Sequence, residues 1–152
     1  MNKKTLFIIL LLFLLQHCGY SPIYTNVNSL DYKLNVINIS GDNDINNLIT
    51  TYIKRYSNLS ENKSLNLNIK TDYIKNVLSK NKEGKITNYL IKTRIEFELI
   101  DSKNNKKFVF EDEIKTNSMD NQFDFKKYEN TIKSNFVNSA IEQFIFKISS
   151  TE

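Results

Sequence analysis

The chain has 152 residues, 40% of them apolar and 25% charged, which is the balance of a folding sequence long enough for one domain and short for two. Its formal charge of +4 is too small to point to nucleic acid. The only histidine and the only cysteine are neighbours, His17 and Cys18; a cut between them leaves no histidine, and modification of Cys18 leaves no thiol, which excludes a Ser–His–Asp triad, a Cys–His dyad, a His-ligated metal and a disulfide framework.

The chain opens on a short positive stretch, Asn2-Lys3-Lys4, followed by an unbroken apolar run from Leu6 to Leu15. Ten residues of helix reach about 15 Å, half of the ~30 Å hydrocarbon core, so the run reads as a signal-peptide core and not as a spanning helix. Leu15-Gln16-His17-Cys18 resembles a bacterial lipobox, with an aliphatic residue three positions before the cysteine; Gln16 and His17 stand where that pattern prefers small residues. The resemblance implies cleavage before Cys18, a diacylglyceryl thioether on its sulfur and an acylated amino terminus. Two or more acyl chains anchor a protein stably where one does not. Residue 19 is Gly and not Asp, which by analogy with enteric lipoproteins implies the outer membrane. Loss of Lys3 and Lys4 with the signal leaves a net charge of +2. The expected organisation is a signal peptide over 1–17, a lipid-anchored tether over 18–31 that carries the only proline, Pro22, and a single domain over 32–152.

Within the domain, Tyr32, Leu34 and Val36 alternate, which predicts a first strand from Tyr32 to Ile39. Ser40-Gly41-Asp42-Asn43 supplies turn and helix-capping chemistry. Ile45, Leu48, Ile49, Tyr52, Ile53 and Tyr56 recur three and four apart and make one apolar helical stripe. Leu65, Leu67, Ile69, Thr71 and Tyr73 alternate with polar residues, a strand with one buried and one wet face. The segment from Ser79 to Lys85 is a hairpin loop with Gly84 as its positive-φ residue. Tyr89, Ile91, Thr93, Ile95, Phe97 and Leu99 face the core on a third strand, and Phe108, Phe110 and Ile114 on a fourth. A long final helix follows, with Asp124 as its expected N-cap and Phe125, Tyr128, Ile132, Phe136, Ala140, Ile141, Phe144, Ile145 and Ile148 as its stripe. The expected fold is α+β: a four-stranded sheet with two helices packed on one face, in the order β-α-β-β-β-α.

Three features together carry a family resemblance. Cys18-Gly19-Tyr20-Ser21-Pro22-Ile23-Tyr24 follows a Cys-Gly-Phe-x-Pro-Leu-Tyr pattern position by position. The β-α-β-β-β-α layout comes next, and a charged alternating strand, Tyr89 to Asp101, leads through a turn and a strand into the long last helix. In these features the chain resembles the LPS-assembly lipoproteins, the LptE family, in their short alphaproteobacterial form. Thr116-Asn117-Ser118 and Asn121-Gln122-Phe123 echo the family's Asn/Ser/aromatic stretch loosely, and the final helix is rich in Lys, Asn and Ile where relatives use alanine. The resemblance implies a non-enzymatic plug inside a large outer-membrane β-barrel, the translocon LptD. Such a plug helps the barrel fold and helps pass lipopolysaccharide to the outer leaflet. It implies no cofactor and no nucleic-acid partner.

Candidate ligand contacts are basic. Lys80, Lys82 and Lys85 cluster on the hairpin loop, where ammonium groups would draw lipid A phosphates. Lys92 and Arg94 lie on the wet face of the third strand, and the planar fork of Arg94 suits phosphate, while a cross-strand glutamate is its competing partner. A solvated turn and a solvated sheet face account for the same residues without a ligand. Two other functions fit the composition. One is an outer-membrane lipoprotein that scaffolds a different assembly machine. The other is a periplasmic hydrolase using Glu96 with Glu98 or Glu111 with Glu113, whose signature would be a carboxyl pushed up in a pocket.

Overall fold

The structure is a computed structural model that describes residues 33–56, 64–100 and 105–150. The signal peptide, Cys18 and the tether lie outside the described residues, as do the segment closing the first helix and most of the turn before the fourth strand. The elements are β1 (Lys33–Gly41), α1 (Asn43–Ile53), β2 (Ser64–Lys80), β3 (Ile86–Ile100), β4 (Lys106–Asn117) and α2 (Gln122–Ser149), in the expected order. One sheet runs β1-β2-β3-β4. β1 is parallel to β2 because α1 carries the chain back along the sheet; the short connections after β2 and β3 make the other pairs antiparallel. No described helix is long and apolar enough to cross a membrane.

The alternation of β2 and β3 sets the core. Leu67 pairs with Leu99, Ile69 with Phe97 and Thr71 with Ile95. Leu67, Ile69, Thr71, Ile95 and Phe97 are buried, facing the two helices. Ile45, Ile49 and Ile53 seal the layer from α1; Val137, Ile141, Phe144 and Ile145 do so from α2. Phe97 stacks on Phe144 at 4.4 Å between ring centroids, while Phe110 and Phe108 meet that pair edge-on. Aromatic contacts of this kind add about 0.5–1.5 kcal/mol each beyond area burial. At 28 residues α2 is about 42 Å long, enough to cover the sheet lengthwise.

Two glycines have positive φ. Gly41, at +109°, ends β1 directly over Thr71, and a Cβ there would come within 1.8 Å of the Thr71 carbonyl oxygen. Gly84, at +82°, is the hairpin position expected for it and stands in open space. The cap of α1 is Asp42, whose carboxylate accepts from the Ile45 amide at 2.9 Å. The cap of α2 is Asn121 and not Asp124: the Asn121 side chain accepts from the Phe123 amide at 2.9 Å. Asp124 falls in the first turn instead, where a negative charge still complements the helix dipole.

Candidate functional site

The open face of the sheet is laced by charge. The register sets Lys70 opposite Glu96, Asp72 opposite Arg94, Lys92 opposite Glu113, Arg94 opposite Glu111 and Glu98 opposite Lys107, so each of these rows meets an opposite sign. Lys92 Nζ is 2.7 Å from Glu113. Arg94 donates to Glu96 at 3.2 Å, and its Nε lies 3.0 Å from Glu111 without hydrogen-bond alignment. Lys107 reaches Glu96 at 2.9 Å, which holds the Glu96 carboxyl below its usual range. A shallow groove of about 600 Å³ runs over Asp72, Ile74, Lys92, Arg94, Glu111 and Glu113.

The five candidate cations therefore do not form one site. Lys92 and Arg94 come together on β3 but are engaged by glutamates. Lys85 is drawn away from the loop by Asp120, at 2.5 Å, just before α2. Lys80 and Lys82 are exposed and have no partner among the described residues. Cys18 lies outside those residues. The carboxylate pairs Glu96/Glu98 and Glu111/Glu113 sit among cations on an open face, and the hydrogen bond from Lys107 holds Glu96 low. A general acid needs the opposite direction.

A second polar cluster escapes the apolar stripe read from the sequence. Glu129 and Lys133, on α2, are buried at 5% and 3% exposure. Lys133 donates to Asp42 and, at 2.9 Å, to Asp44, and its ammonium lies 4.1 Å from the centre of the Tyr73 ring. The Tyr73 hydroxyl donates to Glu129 at 2.6 Å, and Lys75 pairs with the same carboxylate at 2.9 Å. Burial, followed by the bond to Glu129, pushes the Tyr73 hydroxyl well above its ordinary pKa. Burial pushes Glu129 up, but the bonds from Tyr73 and Lys75 more than offset it and leave its carboxyl low. Beside the cluster, buried Thr71 on β2 donates to Asn46 of α1 at 2.8 Å. The signal was present in spacing: Glu129 and Lys133 stand four and eight residues after Phe125, in line with buried Val137. Tyr128, assigned to the stripe in their place, is 36% exposed.

No family model matches the sequence, and no curated protein is significantly similar to it. Solved structures do share the fold. The rare lipoprotein B of Shewanella oneidensis superposes with a TM-score of 0.52 at 15% identity, over 77% of this chain and 95% of that one. A minor lipoprotein of Acinetobacter baumannii gives 0.50 at 15% identity, over 80% and 96%. An uncharacterized lipoprotein B of Nitrosomonas europaea gives 0.50 at 15% identity, over 86% and 91%. At this identity the likeness is one of fold, and the fold is one found in bacterial lipoproteins.

Proposed function

We propose that the chain is a lipid-anchored outer-membrane lipoprotein that plugs a large β-barrel lipopolysaccharide translocon and assists its assembly, without catalysing a reaction. The observation that carries this reading is a conjunction: a fold found in solved bacterial lipoproteins, on a chain whose own sequence places Cys18-Gly19-Tyr20-Ser21-Pro22-Ile23-Tyr24 two residues after a signal-type apolar run. The charge-balanced sheet face supports it further, since a barrel lumen is polar and a plug must present a polar exterior there. With Lys85, Lys92 and Arg94 engaged by acids, the loop contact to lipid A phosphate narrows to Lys80 and Lys82.

Mass spectrometry of the mature protein should show a lipid-modified Cys18 at the amino terminus, and a Cys18→Ala chain should leave the membrane fraction. A pull-down from outer membranes through a C-terminal tag should bring a large β-barrel with it. Recovery of a different envelope machine would replace the plug by the scaffold reading. Lys80→Glu with Lys82→Glu should weaken lipopolysaccharide binding and its salt dependence while barrel association persists, because exposed charges are screened beyond ~8 Å at physiological ionic strength. Unchanged binding would move the contact off the loop.

A further inference from the structure

β4 is an edge of the sheet: among the described residues it pairs with β3 alone. Its inner face follows from the register. Phe110 pairs with Ile95, Asp112 with Thr93 and Ile114 with Ile91, and those three β3 residues are buried under the helices. β4 thus sets an aspartate between two apolar residues on the face that looks toward α2. A groove of about 690 Å³ runs between that face and α2. Its floor is apolar, with Phe110, Ile132 and Phe136 each less than a tenth exposed. The helix side of its rim is Thr131, Asn135 and Ser139, which carry no charge. Asp112 accepts the Glu113 amide at 2.9 Å and pairs with no cation among the described residues. Glu111 and Glu113, on the opposite face, lie against Arg94 and Lys92.

We propose that the β4 edge and this groove receive an extended segment of a different polypeptide, added as a further strand, whose inward-facing residues read apolar, basic, apolar at every second position. The free edge supplies the backbone hydrogen bonds, and alternate side chains supply the choice of partner. The two apolar residues cover Phe110 and Ile114, and the basic residue between them meets Asp112 directly across the pair. An inward-pointing charge on an edge strand discourages pairing with its own kind. The same charge selects a strand that brings the opposite sign. A second copy of β4, turned about a two-fold axis at Asp112, would set that carboxylate against itself. Residues 18–32, which lead into β1, hold Asp31 as their only charge, so the chain's own tether brings no cation to the site. The segment therefore comes from another chain, and one copy of this protein takes one such segment, as a single plug allows. The inference rests on the β4 edge and its groove and not on the barrel reading.

Residues directly opposite in a strand pair lie within the span of a disulfide. Val109 is exposed on the β4 edge, three residues before Asp112. The probe is the capped heptapeptide Thr-Val-Thr-Lys-Thr-Val-Thr, with its first or its last threonine replaced by cysteine to cover both strand directions. In a thiol buffer, full-length Val109→Cys in detergent should capture this peptide at least five-fold more than its counterpart with glutamate at the centre. The unsubstituted chain is the blank. Asp112→Lys in the Val109→Cys background should reverse the preference with an unchanged circular dichroism spectrum, since Asp112 is exposed. A peptide with its lysine moved one place, to the outward face, should lose the advantage, which separates strand register from general attraction. Equal capture of the lysine and glutamate peptides, a preference that survives Asp112→Lys, or undiminished capture of the shifted peptide would each overturn the proposal and leave Asp112 as a guard of the edge.

Discussion

Lys133 donates to both carboxylate oxygens of Asp42, at 3.1 and 3.2 Å, so the ammonium of the last helix grips the residue that caps the first. Asp42 does two jobs at once: it satisfies the Ile45 amide and neutralises a cation buried to 3% exposure. The two partners are unequally buried, and their removal should differ accordingly. Asp42→Ala removes a cap and leaves the buried ammonium with Asp44 as its remaining carboxylate, an expected loss of about 3 kcal/mol. Lys133→Met leaves two carboxylates that water can reach, and about 2 kcal/mol is expected. Urea unfolding of the two variants measures both; a larger loss for Lys133→Met would reverse the assignment of which partner is trapped.

Acid should destabilise the fold through a definable set of groups. Asp44 is held low by a hydrogen bond and attraction from Lys133, Glu96 by Lys107, and Glu129 by Tyr73 and Lys75 against the opposing push of burial. A carboxyl whose folded pKa lies below its unfolded value contributes stability above the unfolded value, and that stability disappears as pH falls through the folded one. Stability should therefore hold from pH 7 to about 5 and fall below the ordinary carboxyl range near 4. Glu129→Gln should flatten that limb, as read from urea midpoints between pH 7 and 3.

The two positive-φ glycines should respond differently to the same change. Gly41→Ala drives a Cβ into the Thr71 carbonyl as well as straining φ, and a loss above about 3 kcal/mol is expected. Gly84→Ala meets nothing within 4 Å and should cost only the backbone term, about 1 kcal/mol. Thermal unfolding of the pair separates collision from conformation.

The strand register is open to a neighbouring-residue test. Ile95 is fully buried and Glu96 lies on the charged face. Ile95→Asp places an unpaired charge in the apolar layer and should unfold the domain. Glu96→Gln loses a partly exposed ion pair and should cost about 1 kcal/mol or less. Similar losses at the two positions, by circular dichroism and urea titration, would show the register displaced by one residue.

The sequence by itself determined the element order, the faces of β2 and β3 and the hairpin glycine, because all three rest on short-range rules. Period two sorts Ile95 from Glu96, period 3.6 sorts Ile49 from Thr50, and a positive φ in a tight turn calls for glycine. The two caps sit at the limit of such rules: Asp42 and Asn121 both carry capping side chains, and Asp124 was a local competitor that the backbone of the first turn displaced. Tertiary structure alone decided where the charges go. Lys85 looks free in the loop sequence and meets Asp120, thirty-five residues on. Lys92 meets Glu113, and Arg94 meets Glu111, only through the β3–β4 register. Glu129 and Lys133 are buried, against the usual preference of charged residues for water, because Tyr73 and Lys75 from β2 and Asp42 from the start of α1 converge on them. A buried charge is stable only with its partner in place, and those partners stand fifty-four to ninety-one residues away along the chain, beyond the reach of any local pattern.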